Sequence, residues 1–280
     1  MIFGNYDCVS VELGDFLLDG GAMFGVVPKM LWEKKIPADD NNLIQMKARS
    51  LLIHGNERNI LVDAGPGKKL SEKMKKIYGI DDRSVNADAS LSKHGLTCDD
   101  ITDVIITHLH FDHAGGSTII REKKPVPAFP NAKYYIQKAQ FEAAINPGPG
   151  EASSFTRDDF VPLEESGVLK VLDGSCELFN GIEILITDGH TKGQQHPLVK
   201  GKEASLFFCA DLIPTSAHIP VSWRMAYDNY PLTIIKEKEE YLSRALKENW
   251  ILFFEHDPAC AAASVRKTGT AIRLDKTFSL

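Results

Sequence analysis

Val104-Ile105-Ile106-Thr107-His108-Leu109-His110-Phe111-Asp112-His113-Ala114-Gly115-Gly116 decides the reading of this chain. An apolar run of strand type meets three imidazoles and one carboxylate, and two glycines then turn the chain. An extended strand alternates its side chains, so His108 and His110 share a face. The turn swings Asp112 and His113 towards the same region. One zinc-like ion takes about three or four such ligands, so the cluster suggests two ions. Packing explains the stretch poorly, because imidazole and carboxylate are costly to bury without a partner.

The same construction recurs downstream. Ile182 to Thr187 leads into Asp188-Gly189-His190, Ser205 to Cys209 into Ala210-Asp211, and Ile251 to Phe254 into Glu255-His256. Further strands are expected at Cys8 to Leu13, Ser50 to His54, Asn59 to Val62, Val104 to Thr107, Lys133 to Ile136 and, for the last run, Trp250 to Phe254. Helical patterns lie between them at Lys69 to Tyr78, Val85 to His94, Lys138 to Ile145 and Leu232 to Glu248. Alternating strands and helices predict an α/β layered architecture. In an open α/β sheet the strand ends at one edge form the ligand crevice, so one edge is expected to carry a metal site. Asp15 to Asp40, Asn146 to Gly150 and Ser216 to Pro231 interrupt the pattern, but none reads as a linker, and residues 1–280 are expected to form a single domain.

The 280 residues are 43% hydrophobic and 25% charged, an ordinary globular composition. A net charge of −6 favours neither nucleic acid nor an anionic membrane. The five cysteines are scattered and odd in number, so reduced thiols in a cytoplasmic protein are expected. The N-terminus lacks the basic and apolar regions of a signal peptide. No window reaches the roughly 18 apolar residues of a membrane span.

HxHxDH followed by a distant His, Asp and His resembles the signature of the metallo-β-lactamase superfamily. The resemblance rests on His108, His110, Asp112, His113, His190, Asp211 and His256, with Val62-Asp63-Ala64-Gly65 similar to the family's strand and turn near the site. It implies an αββα four-layer sandwich of two mixed sheets with helices outside. It also implies a ligand set. His108, His110 and His190 would hold one divalent ion, and Asp112, His113 and His256 a second. Asp211 would bridge them. Zinc is the first expectation, and nitrogen and oxygen ligands also accept Mn, Fe or Co. Asp63 has two readings, ordering the loops beneath the site or simple turn capping. His54, His94 and His196 read as surface or packing residues.

Fold does not fix function, so the branch is argued separately. An intact Asp112 disfavours the zinc β-lactamases that lack parts of the second site. The spacing from Asp211 to His256 leaves no room for the inserted domain of the RNA-processing nucleases. The 280 residues leave no length for the flavin domain of the di-iron oxygen reductases, and the first motif lacks their glutamate. Asp19 to Lys29, Ala210 to Thr215, Met225 to Pro231 and Pro127 to Ala132 resemble a Bacillus-type branch of quorum-quenching N-acyl-homoserine lactonases. The methyl-parathion-type phosphotriesterases share much of this layout.

The reaction implied is opening of a lactone ring by a hydroxide bridging the two ions, with Asp112 as the catalytic proton shuttle. The substrate is then a small ester or lactone. The alternatives are a phosphotriesterase or broad esterase, and a metal-stabilised binding protein. The apolar stretch with Met23, Phe24, Val26, Val27, Met30, Leu31 and Trp32 reads either as an acyl channel or as core or dimer interface. Two departures from the family pattern stand out. Pro214 occupies the place of a tyrosine that aids the carbonyl oxygen in the best-known lactonases, leaving His218, Tyr227 and Tyr230 as candidates. Gln194 replaces a histidine after Gly189-His190-Thr191-Lys192-Gly193.

Overall fold

Ile251 and Phe253 point one way from their strand and Trp250 and Leu252 the other, and both faces are buried. A strand buried on both faces must lie inside a layered structure. The computed structural model describes residues 1–280 and shows those layers.

The first sheet is built from β1 (Ile2–Phe3), β2 (Tyr6–Asp19), β3 (Leu43–Gly55), β4 (Arg58–Val62) and β5 (Asp103–Ile105). A separate hairpin follows, β6 (Thr118–Arg121) and β7 (Lys124–Pro127), before β8 (Lys133–Gln137) and β9 (Leu169–Leu172) complete that sheet in the order β1-β2-β3-β4-β5-β8-β9. The second sheet holds β10 (Cys176–Phe179), β11 (Ile182–Thr187), β12 (Gln194–Val199), β13 (Ser205–Phe208), β14 (Trp250–Phe253), β15 (Ala262–Thr268) and β16 (Ala271–Phe278), in chain order. Both sheets are mixed: β4, β5, β8 and β9 run parallel, as do β13 and β14, and the other neighbours are antiparallel. The helices are α1 (Gly20–Phe24), α2 (Lys29–Trp32), α3 (Glu72–Tyr78), α4 (Ala87–Ser92), α5 (Phe111–Ala114), α6 (Lys138–Ile145), α7 (Val161–Glu165) and α8 (Pro231–Lys247).

The period of two sorts the core into layers. Leu51, Ile53, Ile60, Val62, Ile105, Ile184, Leu206, Phe208, Ile251 and Phe253 meet between the sheets. Leu52, Leu61 and Val104 face outward onto Leu91 of α4, Ala144 of α6 and Leu163 of α7. Phe207, Trp250 and Leu252 face outward onto α8, which starts at Pro231 and buries Ile234, Lys238, Tyr241, Leu242 and Ala245 on one stripe. This is the αββα sandwich expected from the motif.

Several expected boundaries move. β2 runs through Asp15 to Asp19, so the first interruption opens in strand, and α1 and α2 occupy part of the rest. The helix expected from Lys69 starts at Glu72 behind the Ser71 cap, and the one expected over Val85 to His94 shrinks to Ala87–Ser92 behind the Asn86 cap. β1, β9, β10, β12, β15, β16 and the β6–β7 hairpin lie outside the expected strands. For the site, what matters is direction. β4, β5, β11, β13 and β14 all end at one edge, where Asp63, His108, His190, Asp211 and His256 follow them.

Candidate metal centre

At that edge the strand ends give way to irregular backbone. Asp63 and Ala210 hold positive φ of 60° and 41°, a strained conformation for residues other than glycine. Ala210 turns the chain so that the Asp211 carboxylate enters the crevice between the sheets. His110 caps the four-residue α5, which carries Asp112 and His113 in its single turn.

Three buried groups of ligand-type atoms result: His108, His110, His190 and Asp211; Asp112, His113 and His256; and, sharing His113 with the second, Asp63, His113 and Glu255. Asp211 faces the first two. Its Oδ2 lies 3.1 Å from His190 Nε2 and 3.9 Å from His108 Nε2, while Oδ1 lies 3.2 Å from His256 Nε2 and 3.6 Å from His113 Nε2. Asp112 Oδ2 sits 3.7 Å from His256 Nε2 and 3.8 Å from His113 Nε2. All seven residues named from the motif thus converge.

The nitrogens facing away from the centre are braced. His108 Nδ1 lies 3.0 Å from Thr107 Oγ1, whose own proton goes to Asp63 Oδ2. His113 Nδ1 is 3.0 Å from both Asp63 Oδ2 and Glu255 Oε2. His190 Nδ1 is 3.0 Å from Asp228 Oδ1, and His256 Nδ1 is 2.7 Å from the Lys47 carbonyl oxygen. These partners accept, so each outer nitrogen of a neutral ring carries the hydrogen and each inner nitrogen presents a lone pair. Inner nitrogens then approach one another closely. His110 Nδ1 is 3.0 Å from His108 Nε2 and 3.1 Å from His190 Nε2, and His113 Nε2 is 3.1 Å from His256 Nε2. Lone pairs at such distances repel unless a cation stands between them. Asp211 Oδ1 is likewise buried with no hydrogen-bond donor.

The electrostatics make the same demand. Burial opposes ionisation of Asp211, yet His190 and His113 hold its carboxyl well below the usual range. Burial opposes charge on His256, yet the Asp211 carboxylate 3.2 Å away lifts it to about 9. His113 is raised well above its ordinary value against burial by Glu255, Asp112 and Asp211. His108 is driven the other way by burial and by His113, His110 and His190. The carboxylates call for positive charge at a place where protons and a metal ion compete. The donor set therefore fits divalent metal, with nitrogen and oxygen ligands and outer nitrogens mostly braced.

A cavity of about 220 Å³ opens onto the centre. Leu18, Met23, Tyr78, Phe111, Met225 and Tyr227 form an apolar wall, and Gly150, Glu151, Ser153, Ser154 and Asn229 a polar one. Of the residues put forward for an acyl channel or for the missing tyrosine, Met23 and Tyr227 line this cavity. Phe24 and His218 lie behind it, with ring centroids 4.5 Å apart. Both His218 nitrogens are engaged, Nδ1 with Thr215 Oγ1 at 2.7 Å and Nε2 with the Met23 carbonyl oxygen at 2.8 Å. His218 therefore braces the Met23 wall and has no free atom for a substrate oxygen. Phe24 is fully buried and stacked between His218 and Trp32, which makes it packing. Tyr230 covers Lys192. Exposed His54 and His94 and buried His196, bonded to Thr187 and the Phe208 carbonyl, stand apart from the centre.

Some braces had no signal in the motif. Glu237 of α8 accepts from the backbone N–H groups of Asp188 and Gly189 at 2.7 and 3.0 Å and so fixes the turn that carries His190. Gln140 of α6 accepts from Leu109 N and donates to Thr191 Oγ1 and the Lys192 carbonyl, tying two ligand loops together. Asp228, Glu255 and Glu151 complete the set. Adjacency to His256 is the one hint that pointed to Glu255.

Comparison with known proteins agrees with this geometry. Residues 46–256 match the model of the metallo-beta-lactamase superfamily. An N-acyl homoserine lactonase, AiiA, of Bacillus thuringiensis subsp. kurstaki is 29% identical over 180 residues, which cover 63% of this chain and 63% of that relative. The match thus spans under two thirds of the length of that curated relative. A probable metal-dependent hydrolase from Staphylococcus aureus superposes with a TM-score of 0.88 at 31% identity, covering 99% of this chain and 100% of its own. AidC, described as a dizinc quorum-quenching lactonase in complex with a product, shares the fold with a TM-score of 0.82 at 20% identity, covering 100% of this chain and 97% of its own. Motif, layers and convergent side chains have one common explanation: this chain belongs to the metallo-β-lactamase superfamily.

Proposed function

We propose that residues 1–280 form a single-domain, dinuclear metal-dependent hydrolase that opens the lactone ring of N-acyl-homoserine lactones. The observation that carries this reading is the pair of oxygens on Asp211, one turned to each group of inward-facing histidine nitrogens. In this reading His108, His110 and His190 hold one ion, Asp112, His113 and His256 the other, and Asp211 joins them. Two divalent ions, zinc first among them, would polarise the ester carbonyl and lower the pKa of water towards neutrality.

The side chains do the rest. Asp112 lines the cavity and is the group placed to take the proton from the attacking water and return it to the leaving ring oxygen. Tyr227 is pushed well above its ordinary phenol pKa, by burial first, and so keeps its proton as a donor on the cavity wall. It is the candidate for the oxyanion partner that Pro214 does not supply. Leu18, Met23 and Met225 offer an apolar, adaptable wall for a short acyl chain. The named activities of the Bacillus relative and of AidC support the lactone as substrate. Five free cysteines suit a reducing, cytoplasmic setting, and no helix is long and apolar enough to cross a membrane.

A second reading, a phosphotriesterase or broad esterase, draws on the small cavity, which suits a compact ester as well as an acyl tail. Assaying the zinc-loaded protein on hexanoyl- and dodecanoyl-homoserine lactones beside an aryl phosphotriester separates the two. Faster turnover of a lactone is expected. Equal or faster turnover of the phosphotriester overturns the first reading.

A further inference from the structure

Four of the five histidines at the centre have their outer nitrogen braced at 3.0 Å or less, by Thr107, by Asp63 with Glu255, by Asp228 and by the Lys47 carbonyl. His110 is the exception. Its Nδ1 faces the centre, and its Nε2 is buried without a hydrogen-bond partner within normal reach. The one acceptor facing that N–H is the carboxylate of Glu151, 3.5 Å away, with the two side chains 9% and 15% exposed.

The carboxylate is aimed there by its surroundings. Glu151 closes the Pro147-Gly148-Pro149-Gly150 loop, and its Oε1 accepts a hydrogen bond from Thr191 Oγ1. Gln140 Nε2 donates to that same Thr191 oxygen at 3.1 Å. Beyond Glu151, Phe155 pairs with His110 as an isolated β-bridge, and the two rings lie 5.1 Å apart. The loop is thus fastened to His110 on one side and to the residue after His190 on the other. Gly150, Glu151, Ser153 and Ser154 also line the cavity.

We propose that Glu151 is a positioning residue. Its carboxylate accepts the Nε2–H of His110, fixes that ring's tautomer and orientation, and so ties the cavity-lining loop to one half of the metal centre. The proposal rests on the reading that these histidines hold metal. Outer partners of this kind orient the ligand, and their loss typically lowers metal affinity by about 10–100-fold.

The test uses the full chain, stripped with a chelator and titrated with Co(II), followed by calorimetry and by visible absorption, which responds to ligand geometry. The unsubstituted chain is expected to take two equivalents. Glu151→Ala is expected to bind one equivalent roughly 10–100-fold more weakly with a changed absorption band, and the other unchanged. Glu151→Gln, whose amide oxygen can accept from the same N–H, is expected to stay within about threefold of the parent for both (roughly a few tenths of the effect of a lost partner on the logarithmic scale). Melting of the metal-free variants reads any general loss of folding. The proposal is overturned if Glu151→Ala keeps both affinities and the spectrum. It is also overturned if both equivalents weaken equally in step with a lowered metal-free melting temperature. If the unsubstituted chain takes up no Co(II), the metal reading itself falls and the Glu151 role with it. A two-equivalent parent beside an unaffected variant removes the Glu151 role alone.

Discussion

The two halves of the candidate centre use the same side chains on different footings. His113 and His256 are braced by Asp63, Glu255 and the Lys47 carbonyl, which belong to the ends of β4 and β14 and to β3. Asp63 and Glu255 are fully buried, and the Lys47 carbonyl is part-buried on its strand. His110 faces Glu151 and His190 is braced by Asp228; both carboxylates sit on loops, Glu151 lining the cavity and Asp228 buried. The strand-backed half inherits the rigidity of the core. Both halves border the cavity, through His110 and His190 on one side and Asp112 and His256 on the other. Strand ends hold their side chains more firmly than loops do, so the first half has the stiffer footing.

Asp211 belongs to both halves, so its removal should erase the difference. Asp211→Ala is expected to reduce bound zinc from two equivalents to one or none, and to lower lactone turnover by more than the roughly 100-fold upper range of an outer-partner loss. Elemental analysis beside the turnover assay checks it. Retention of two tightly held ions would mean that the halves are independent sites.

Asp63→Ala and Asp228→Ala then test the contrast directly. Asp63 Oδ1 accepts from Thr107 N and Oδ2 from Thr107 Oγ1, both at 2.6 Å, besides facing His113. Removing it strands several buried groups, and a loss of roughly 3–5 kcal/mol in folding stability is expected. Asp228 faces His190 and accepts from Met225 N at 2.9 Å. Its loss should cost roughly 10–100-fold in the affinity for one metal equivalent, with a smaller loss of stability. Denaturant melts of the metal-free proteins and zinc titrations read the two effects separately. Equal stability losses would break the comparison.

Metal removal sharpens it further. With free metal near 1,000 times its Kd, binding stabilises the fold by about 4 kcal/mol, which chelation should remove. Hydrogen exchange is expected to rise most over residues 146–156 and 224–230 and least over β3, β4 and β14. A uniform rise across both sets would contradict the assignment of footing.

What the sequence discloses follows the same division. The seven converging residues are legible because each follows an apolar strand, and the hydrophobic pattern that sets the strand also sets the edge. The braces on loops are not. His190 meets Asp228, and His110 meets Glu151, through tertiary folding of segments whose own composition says only loop. β12 is hidden for another reason. Gln194-Gln195-His196 reads as polar, yet Gln195 Nε2 donates to the Ile106 and Tyr135 carbonyls at 2.7 and 2.9 Å and so joins the two sheets. Burial there depends on partners in another sheet, which periodicity cannot register. β15 and β16 escape notice because an edge hairpin with Arg266, Lys267, Arg273 and Lys276 carries charge where a buried strand carries apolar side chains. Phe24 and His218 show the converse: an apolar stretch put the one forward for a channel and a missing tyrosine the other for the oxyanion, but their rings stack on each other behind Met23.

Tyr227 carries the smallest expected effect. It stands on the loop side of the cavity, 42% exposed, one residue before Asp228, and Gly25 packs against the backbone of Arg224 to Ala226 just ahead of it. Its hydroxyl stays protonated, so a contribution to turnover would come as one neutral hydrogen bond to the developing oxyanion. Such a bond is worth about 1 kcal/mol net, which corresponds to roughly fivefold to tenfold in rate. Tyr227→Phe is therefore expected to lower kcat on a hexanoyl lactone by about that factor with KM little changed, because the ring still forms the wall. If KM rises while kcat holds, Tyr227 is wall alone, and the oxygen left unserved by Pro214 is stabilised by the centre itself. That outcome would also weaken the contrast between the halves, since the loop side would then contribute shape to the reaction and no donor.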